Sequence, residues 1–314
     1  MVSIRKAVMI GCGFVGSASA FSLMQSGMFS EIAMIDADQD KAEGEAMDIS
    51  HGIPFAKQMK VYAGDYEDVK DASIVIVTAG ANQKPGETRL DLVQKNVAIF
   101  KQIIPEIAKR NFQGILLIVT NPVDILTYVA QKLSGFPAHR VIGSGTVLDT
   151  ARLKYRLSEC LSVDSKSIHA FIIGEHGDSE IVAWSSANVS GIDLEDFREM
   201  RGHFQHEEDA KEIAEDVRDC AYEIILKKRA TYYGVAMAVK RICEAIVRNE
   251  KSILPVSTLM KGKYGISDVV LSMPCVVGKD GIETQVPIDL SEEEEEKLRE
   301  SARVLKETLR TLTI

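Results

Sequence analysis

The runs IVIV (residues 74–77) and ILLIV (115–119) carry no polar side chain at any position. Side chains of a β-strand alternate between the two faces of its sheet, so a strand that is apolar throughout needs cover on both. That demand points to a parallel sheet with helices on each face. The surrounding rhythm agrees. Short β-branched runs at 6–10, 31–35, 60–62, 73–77, 115–120 and 140–142 alternate with helical stretches at 15–27, 40–49, 89–110 and 123–133. The expected fold class is α/β, a doubly wound parallel sheet of the Rossmann type.

The character changes near Asp149. A helix is expected over 149–160, strands over 168–173 and 182–186, and long helices over 207–228 and 232–248. Further strands follow at 252–259, 269–277 and 281–286, the last stopped by Pro287. In the closing SEEEEEKLRESARVLKETLRTL, Ser291 can cap a helix and Glu294 complete a capping box, with the acids at the positive helix end. Leu298, Ala302, Leu305 and Leu309 share one face, so the five-glutamate run reads as a solvated helix start. A chain of 314 residues has room for two domains. Residues 1–148 are expected to form the doubly wound unit and 149–314 a second, α+β unit.

A formal charge of −9 argues against nucleic acid or an anionic membrane as the main partner, while leaving room for a local basic pocket. The five cysteines are odd in number and scattered without a C-x-x-C pair, which suits reduced thiols better than disulfides or zinc. The apolar run at the start is too short for a signal peptide, and no later run reaches membrane-span length. A cytoplasmic protein is expected.

GCGFVG, residues 11–16, fits G-x-G-x-x-G between a candidate strand and a candidate helix. There Gly11 permits the tight turn, Gly13 lets a pyrophosphate approach the backbone, and Gly16 lets helix pack on strand. The N–H groups and positive dipole end of the helix then face the phosphates. Asp36 ends the next strand, in EIAMID. A carboxylate there accepts both hydroxyls of an adenosine ribose and repels a 2′-phosphate, and its neighbours Ala37 and Asp38 supply no arginine to hold one. The pattern predicts NAD, not NADP.

IIGEHGDSE (172–180) leaves an apolar run and sets His176 between glycines and acids. Alone, such a histidine is most simply a loop residue or a satisfied core residue, although imidazole titrates near neutral pH and can carry a proton at a pocket mouth. Possible partners lie elsewhere. Open α/β sheets bind ligands at the carboxyl ends of their strands, where this chain has TAGANQKPGETR (78–89) and VTNPVD (119–124). The first, with Pro85-Gly86, reads as a lid. LDTAR places Asp149 and Arg152 three apart on one helix face, by spacing alone a surface salt bridge. Hydride transfer to a carbonyl needs a proton donor, a cation at the oxygen and an anchor for the acid group. His176, Arg89 and Arg152 suit these parts, with Asp149 fixing the imidazole tautomer and favouring its protonated form. A closed lid would exclude water and strengthen these charges.

The strings AGANQKPGETRLDLV, VTNPVDILTYV, LDTAR, IIGEHGDSE and ATYYGVAM resemble the bacterial-type L-lactate dehydrogenases of the lactate/malate dehydrogenase family, and the resemblance runs nearly end to end. It implies an NAD-dependent, reversible reduction of pyruvate to L-lactate, the step of fermentation that follows glycolysis. It implies His176 as acid/base, Asp149 as its orienting partner, Arg89 as the polarising arginine and Arg152 as the carboxylate anchor. Asn121 is implied at the nicotinamide and substrate, and Thr231 in the substrate pocket. Val15, Asp36, Lys41, Tyr66, Gly80, Ala81 and Ser144 fall at family cofactor positions, and Phe14, Thr78 and Val119 are counted with them.

Malate dehydrogenases share this catalytic set, and the resemblance implies arginine there where this chain has Gln83. A second substrate carboxylate in a dry site needs a cation. Neutral Gln83 therefore favours pyruvate over oxaloacetate, while branched 2-oxo acids stay open because one added methylene shifts binding by about 1–3 kcal/mol. Many bacterial relatives carry arginine and histidine where this chain has Lys154 and His169, and there bind fructose-1,6-bisphosphate between subunits of a tetramer. Lysine keeps the charge but loses the forked geometry for phosphate. A homotetramer with such an activator is implied by the resemblance alone. The alternatives are a malate or broader L-2-hydroxy-acid dehydrogenase and a catalytically silent NAD-binding structural protein, which would have no need of His176, Asp149, Arg89 and Arg152 together.

His203 and His206, in GHFQHEED, read as solvated helix-start residues, and no metal is expected. Cys12 reads as a small filler of the glycine turn without a redox role, and Trp184 as a core or interface residue.

Overall fold

The computed structural model describes residues 5–81, 86 and 88–313. Its first part runs β1 (Lys6–Ile10), α1 (Phe14–Ser26), β2 (Glu31–Ile35), α2 (Gln39–His51), β3 (Lys60–Ala63), β4 (Ile74–Val77), α3 (Arg89–Ala108), β5 (Ile115–Ile118), α4 (Val123–Ser134) and β6 (Val141–Gly143). The six strands are parallel, in the order β3-β2-β1-β4-β5-β6, the doubly wound arrangement expected. Every residue of β4 is fully inaccessible and β5 nearly so, which is the two-sided cover their apolar runs require.

The second part runs α5 (Val147–Leu161), β7 (Ile168–His169), β8 (Ile172–Gly174), β9 (Glu180–Val182), β10 (Asn188–Val189), β11 (Ile192–Asp193), α6 (Leu194–Met200), α7 (His206–Lys228), α8 (Tyr233–Val247), β12 (Ser252–Lys261), β13 (Ser267–Gly278), β14 (Gly281–Gln285) and α9 (Glu292–Arg310). It does not start a new main sheet. Gly143 of β6 pairs with Ser257 of β12, and the sheet continues antiparallel through β13, β8 and β9, with β14 on β13. A Cβ on Gly143 would stand 2.5 Å from both Ser257 Cβ and Thr127 Oγ1, so the seam has room for glycine only.

Two expectations need correction. The run 168–173 is not one strand: β7 joins β10 and β11 in a small separate sheet, whereas β8 joins the main one. Ile168 belongs to the lesser apolar cluster and Ile173 to the main core, and uniform hydrophobicity does not reveal that change of sheet. Residues 182–186 likewise form the end of β9 and then a 3-10 turn over Trp184–Ser186. Glu294 Oε1 accepts the Ser185 N–H at 3.1 Å and holds that turn from α9. Pattern reading also passed over β10, β11 and α6, which are too short to show a period.

The last helix follows expectation. Ser291 Oγ accepts the Glu294 N–H at 3.2 Å, and Glu294 Oε2 accepts the Ser291 N–H at 2.8 Å. Leu298, Ala302 and Leu305 are buried on one face. Cys12 is buried in the turn with its thiol pushed up to about 12 by burial, which keeps it protonated and unreactive. Trp184 packs half-buried on the lesser cluster. No helix of the described residues is long and apolar enough to cross a membrane.

Candidate active site

The glycine turn is shaped by what its residues lack. Gly11 has φ +104°, and a Cβ there would lie 2.4 Å from the Ala79 nitrogen. A Cβ on Gly16 would meet the Gly11 carbonyl oxygen at 1.9 Å, so α1 can approach β1 only with glycine in its first turn. Thr78 Oγ1 donates to that same carbonyl at 2.8 Å. Gly13 is the N-cap of α1 with no side-chain hydrogen bond, and nothing lies within 4 Å of where its Cβ would be. Bare backbone, an uncapped helix start and no acid in the first turn make a cradle for a phosphate. Phe14 opens α1 as a residue 70% exposed, its ring stacked on that of Tyr232.

Asp36 stands where β2 ends. Its Oδ2 accepts the Cys12 N–H at 2.6 Å and its Oδ1 the Asp38 N–H at 3.0 Å, which fixes the carboxylate beside the turn. A carboxylate acceptor at this place suits a dinucleotide with a free ribose 2′-hydroxyl. Lys41 lies exposed in the first turn of α2. Tyr66 is half-buried against the core, with the Arg110 guanidinium carbon 5.3 Å from its ring centre.

Two strand-end loops are joined by a residue that sequence reading missed. Asn96 of α3 is 1% exposed; its Oδ1 accepts the Ala81 N–H at 2.7 Å and its Nδ2 donates to the Asn121 carbonyl at 2.8 Å. The available signal was one amide in the apolar stripe of Val93, Val97 and Phe100. Gly80 is packed so closely that a Cβ would sit 2.4 Å from Thr120 Cγ2. Gln83 and the Arg89 side chain lie outside the described residues; the Arg89 backbone begins α3, which Thr88 and Asp91 cap reciprocally.

A cavity of about 360 Å³ opens between the two parts, and the chain brings Val15, Val119, Asn121, Ser144, Asp149, Arg152, His176 and Thr231 to its walls. The His176 loop leaves β8 through Gly174, whose φ of +88° turns the chain toward the cavity. His176 Nδ1 meets Asp149 Oδ2 at 2.5 Å, and Arg152 Nη1 donates to Asp149 Oδ1 at 2.8 Å. Spacing alone made Asp149 and Arg152 a surface pair; here Asp149 is 2% exposed and divides its oxygens between an imidazole and a guanidinium. Burial works against a charged imidazole at this place, but Asp149, Asp124 and Glu180 outweigh it and hold His176 up at about 9. Burial opposes the charge of Asp149 too, yet His176 and then Arg152 keep that carboxyl below its usual range. With Nδ1 engaged, Nε2 is the nitrogen left for chemistry at neutral pH.

Two further acids surround His176, and neither was singled out from sequence. Asp124, in the first turn of α4, accepts the His176 N–H on Oδ2 at 2.7 Å. Glu180 of β9 borders the cavity; burial, then Asp149, pushes its carboxyl up to about 8. Asp149, His176 and Glu180 have donor atoms within 4.8 Å of one another, but both Asp149 oxygens already accept hydrogen bonds. Lys154 and His169 lie outside this cavity: Lys154 is half-buried about two turns along α5, its ammonium pKa lowered by burial, and His169 is exposed on β7.

Comparison with known proteins agrees with this architecture. The family described as lactate/malate dehydrogenase, NAD binding domain, matches residues 5–143, and lactate/malate dehydrogenase, alpha/beta C-terminal domain, matches residues 146–313. An L-lactate dehydrogenase of Acetivibrio thermocellus is 55% identical over 311 residues, 99% of this chain and 98% of that one. L-lactate dehydrogenase 1 of Clostridium acetobutylicum is 54% identical over 304 residues, covering 97% of each. The crystal structure of a minor L-lactate dehydrogenase from Enterococcus mundtii, in the ligands-bound form, superposes with a TM-score of 0.96 at 42% identity, covering 99% of both chains. The chain belongs to the lactate/malate dehydrogenase family, and its first part is that family's NAD-binding domain.

Proposed function

We propose that the protein reduces pyruvate to L-lactate with NADH and catalyses the reverse oxidation with NAD. One observation carries this reading: an imidazole held by a buried aspartate that also accepts from an arginine, all bordering one cavity with Val15 of the dinucleotide turn. Bound NADH supplies the hydride. His176 Nδ1 stays with Asp149, so Nε2 gives its proton to the carbonyl oxygen in reduction and takes it from the hydroxyl in oxidation. An imidazole that stays protonated to about pH 9 suits the reductive direction. Arg152 spends Nη1 on Asp149 and offers its remaining N–H donors to the substrate carboxylate. Arg89 polarises the carbonyl, Asn121 contacts nicotinamide and substrate, and Thr231 lines the pocket. The cofactor set is Gly11, Gly13, Phe14, Val15, Gly16, Asp36, Lys41, Tyr66, Thr78, Gly80, Ala81, Val119, Asn121 and Ser144.

Gln83 selects pyruvate, because a neutral amide leaves the second carboxylate of oxaloacetate unpaired. Loss of NADH absorbance on adding pyruvate tests the activity; a folded, NADH-binding protein that leaves pyruvate unreduced would sink it. Gln83→Arg is expected to move kcat/KM toward oxaloacetate by about a hundredfold or more, since an unpaired buried charge costs about 3–5 kcal/mol, and unchanged selectivity removes Gln83 from this role. The division of labour falls at residue 148, with 149–314 carrying most of the substrate and proton chemistry. The working form is a cytoplasmic homotetramer in which Lys154 and His169 hold fructose-1,6-bisphosphate between subunits. Repeating the pyruvate titration with the bisphosphate tests this activator site, and superimposable saturation curves count against it.

A further inference from the structure

We propose that Asp124 is a positioning residue for the proton transfer: its carboxylate pins the His176 main chain from behind and sets a second buried negative charge beside the imidazole. The inference rests on His176 being the proton carrier. Asp124 belongs to the first turn of α4, in the NAD-binding part, and is 2% exposed. Its Oδ2 accepts the His176 N–H at 2.7 Å, and its Oδ1 accepts the Ser257 hydroxyl of β12 at 2.6 Å. Ser257 is fully buried, with Ser272 Oγ of β13 3.4 Å away. One carboxylate thus joins the first crossover after Asn121, the histidine loop and the strand that carries the sheet across the seam.

Those hydrogen bonds do not require a charge. An asparagine could accept from the His176 N–H through its oxygen and donate to Ser257 Oγ through its amide, with far less desolvation. The chain keeps the acid nevertheless. Burial pushes Asp124 up to about 6, and the Ser257 hydroxyl, the His176 N–H and the imidazole itself draw it back. Near neutral pH it is therefore mainly ionised in a place that disfavours ions. What the charge does is act on His176, whose proton it helps retain after Asp149. The other charged groups facing this pair are Asp149 and Arg152 from α5, Glu175 from the loop itself, Glu180 from β9 and, beyond Glu180, Arg218 from α7. Among them Asp149 grips the ring and Asp124 grips the main chain.

The test uses the full chain as Asp124→Asn and Asp124→Ala, with His176 followed by NMR of histidine-labelled protein and assigned through His176→Asn. Asp124→Asn is expected to fold, to bind NADH like the parent, and to titrate His176 about one pH unit lower. The basic limb of the kcat/KM profile for pyruvate should move down with it. Asp124→Ala, which also releases the main chain, should lose a further tenfold or more in kcat on the neutral plateau. A His176 titration in Asp124→Asn that overlays the parent's overturns the inference, as does an Asp124→Ala enzyme with the parent's kcat. Should neither variant fold, Ser257→Ala reads the same link: removing a donor to the carboxylate should move the acid limb, where Asp124 takes up its proton, to higher pH, and an unmoved limb overturns it. If the parent protein fails to reduce pyruvate, the functional reading falls, while the histidine titrations still decide whether Asp124 acts on His176.

Discussion

At the glycine turn the chain prepares for its ligand by leaving side chains out, whereas around His176 it does so by burying charge. A Cβ at Gly16 would stand 1.9 Å from a carbonyl oxygen, and the helix start at Gly13 carries no capping side chain. By contrast, His176, Asp149, Arg152 and Glu180 line one cavity together with Val15 of that turn, with Asp124 behind His176. The first device is steric and indifferent to pH. The second is electrostatic, and the same burial that raises Asp124 and Glu180 makes each remaining ion act strongly on its neighbours. Binding and proton transfer should therefore fail separately.

The largest expected effect is on that separation. His176→Asn should lower kcat for pyruvate reduction by about 10²–10⁴-fold while NADH fluorescence titrations give an unchanged Kd; a matching loss of NADH affinity would break the contrast. Gly16→Ala should do the reverse. The intruding Cβ forces α1 away from β1, costing on the order of 1–3 kcal/mol and weakening NADH binding about tenfold or more, with the His176 titration left where it was. If Gly16→Ala leaves both Tm and NADH affinity intact, the turn is not steric in origin.

A smaller effect sharpens the comparison through pH. The folded His176 titrates at about 9 against an ordinary 6.5, so its stabilising contribution is complete below pH 6.5 and is lost as pH rises through 9. The loss should be on the order of 3 kcal/mol. Denaturant melts of the parent should show this alkaline decline and those of His176→Asn should not, whereas Gly16→Ala should keep it. An identical decline in parent and His176→Asn would assign it to some other group.

The same contrast decides what could be read before folding. The dinucleotide turn is local: β1, six residues of loop and helix start, and the end of β2 lie within one short stretch, and their steric rules appear directly as glycines. The apolar runs of β4 and β5 declared their two-sided burial as plainly. The charged cluster is assembled from α4, α5, the loop after β8, and β9, and nothing in the spacing of Asp149 and Arg152 says that the aspartate would be taken out of water and the arginine turned to a cavity. The needs of hydride transfer suggested parts for these residues and the family resemblance implied the same ones; spacing alone made Asp149 and Arg152 a surface salt bridge. Asn96 and Asp124 escaped for a related reason. Each sits in an apolar helical stretch, VQKNVAIF and VDILTYVA, where pattern reading tolerates a polar exception instead of asking what it is bonded to.

The bare glycine at the β6–β12 seam limits how such an enzyme can be taken apart. Expressed alone, the NAD-binding piece would keep β6 as a raw border of unanswered N–H and C=O groups, open to any passing strand. A chimera that borrows either piece from a relative has to reproduce the side-chain-free junction opposite Ser257 before its catalytic groups matter at all.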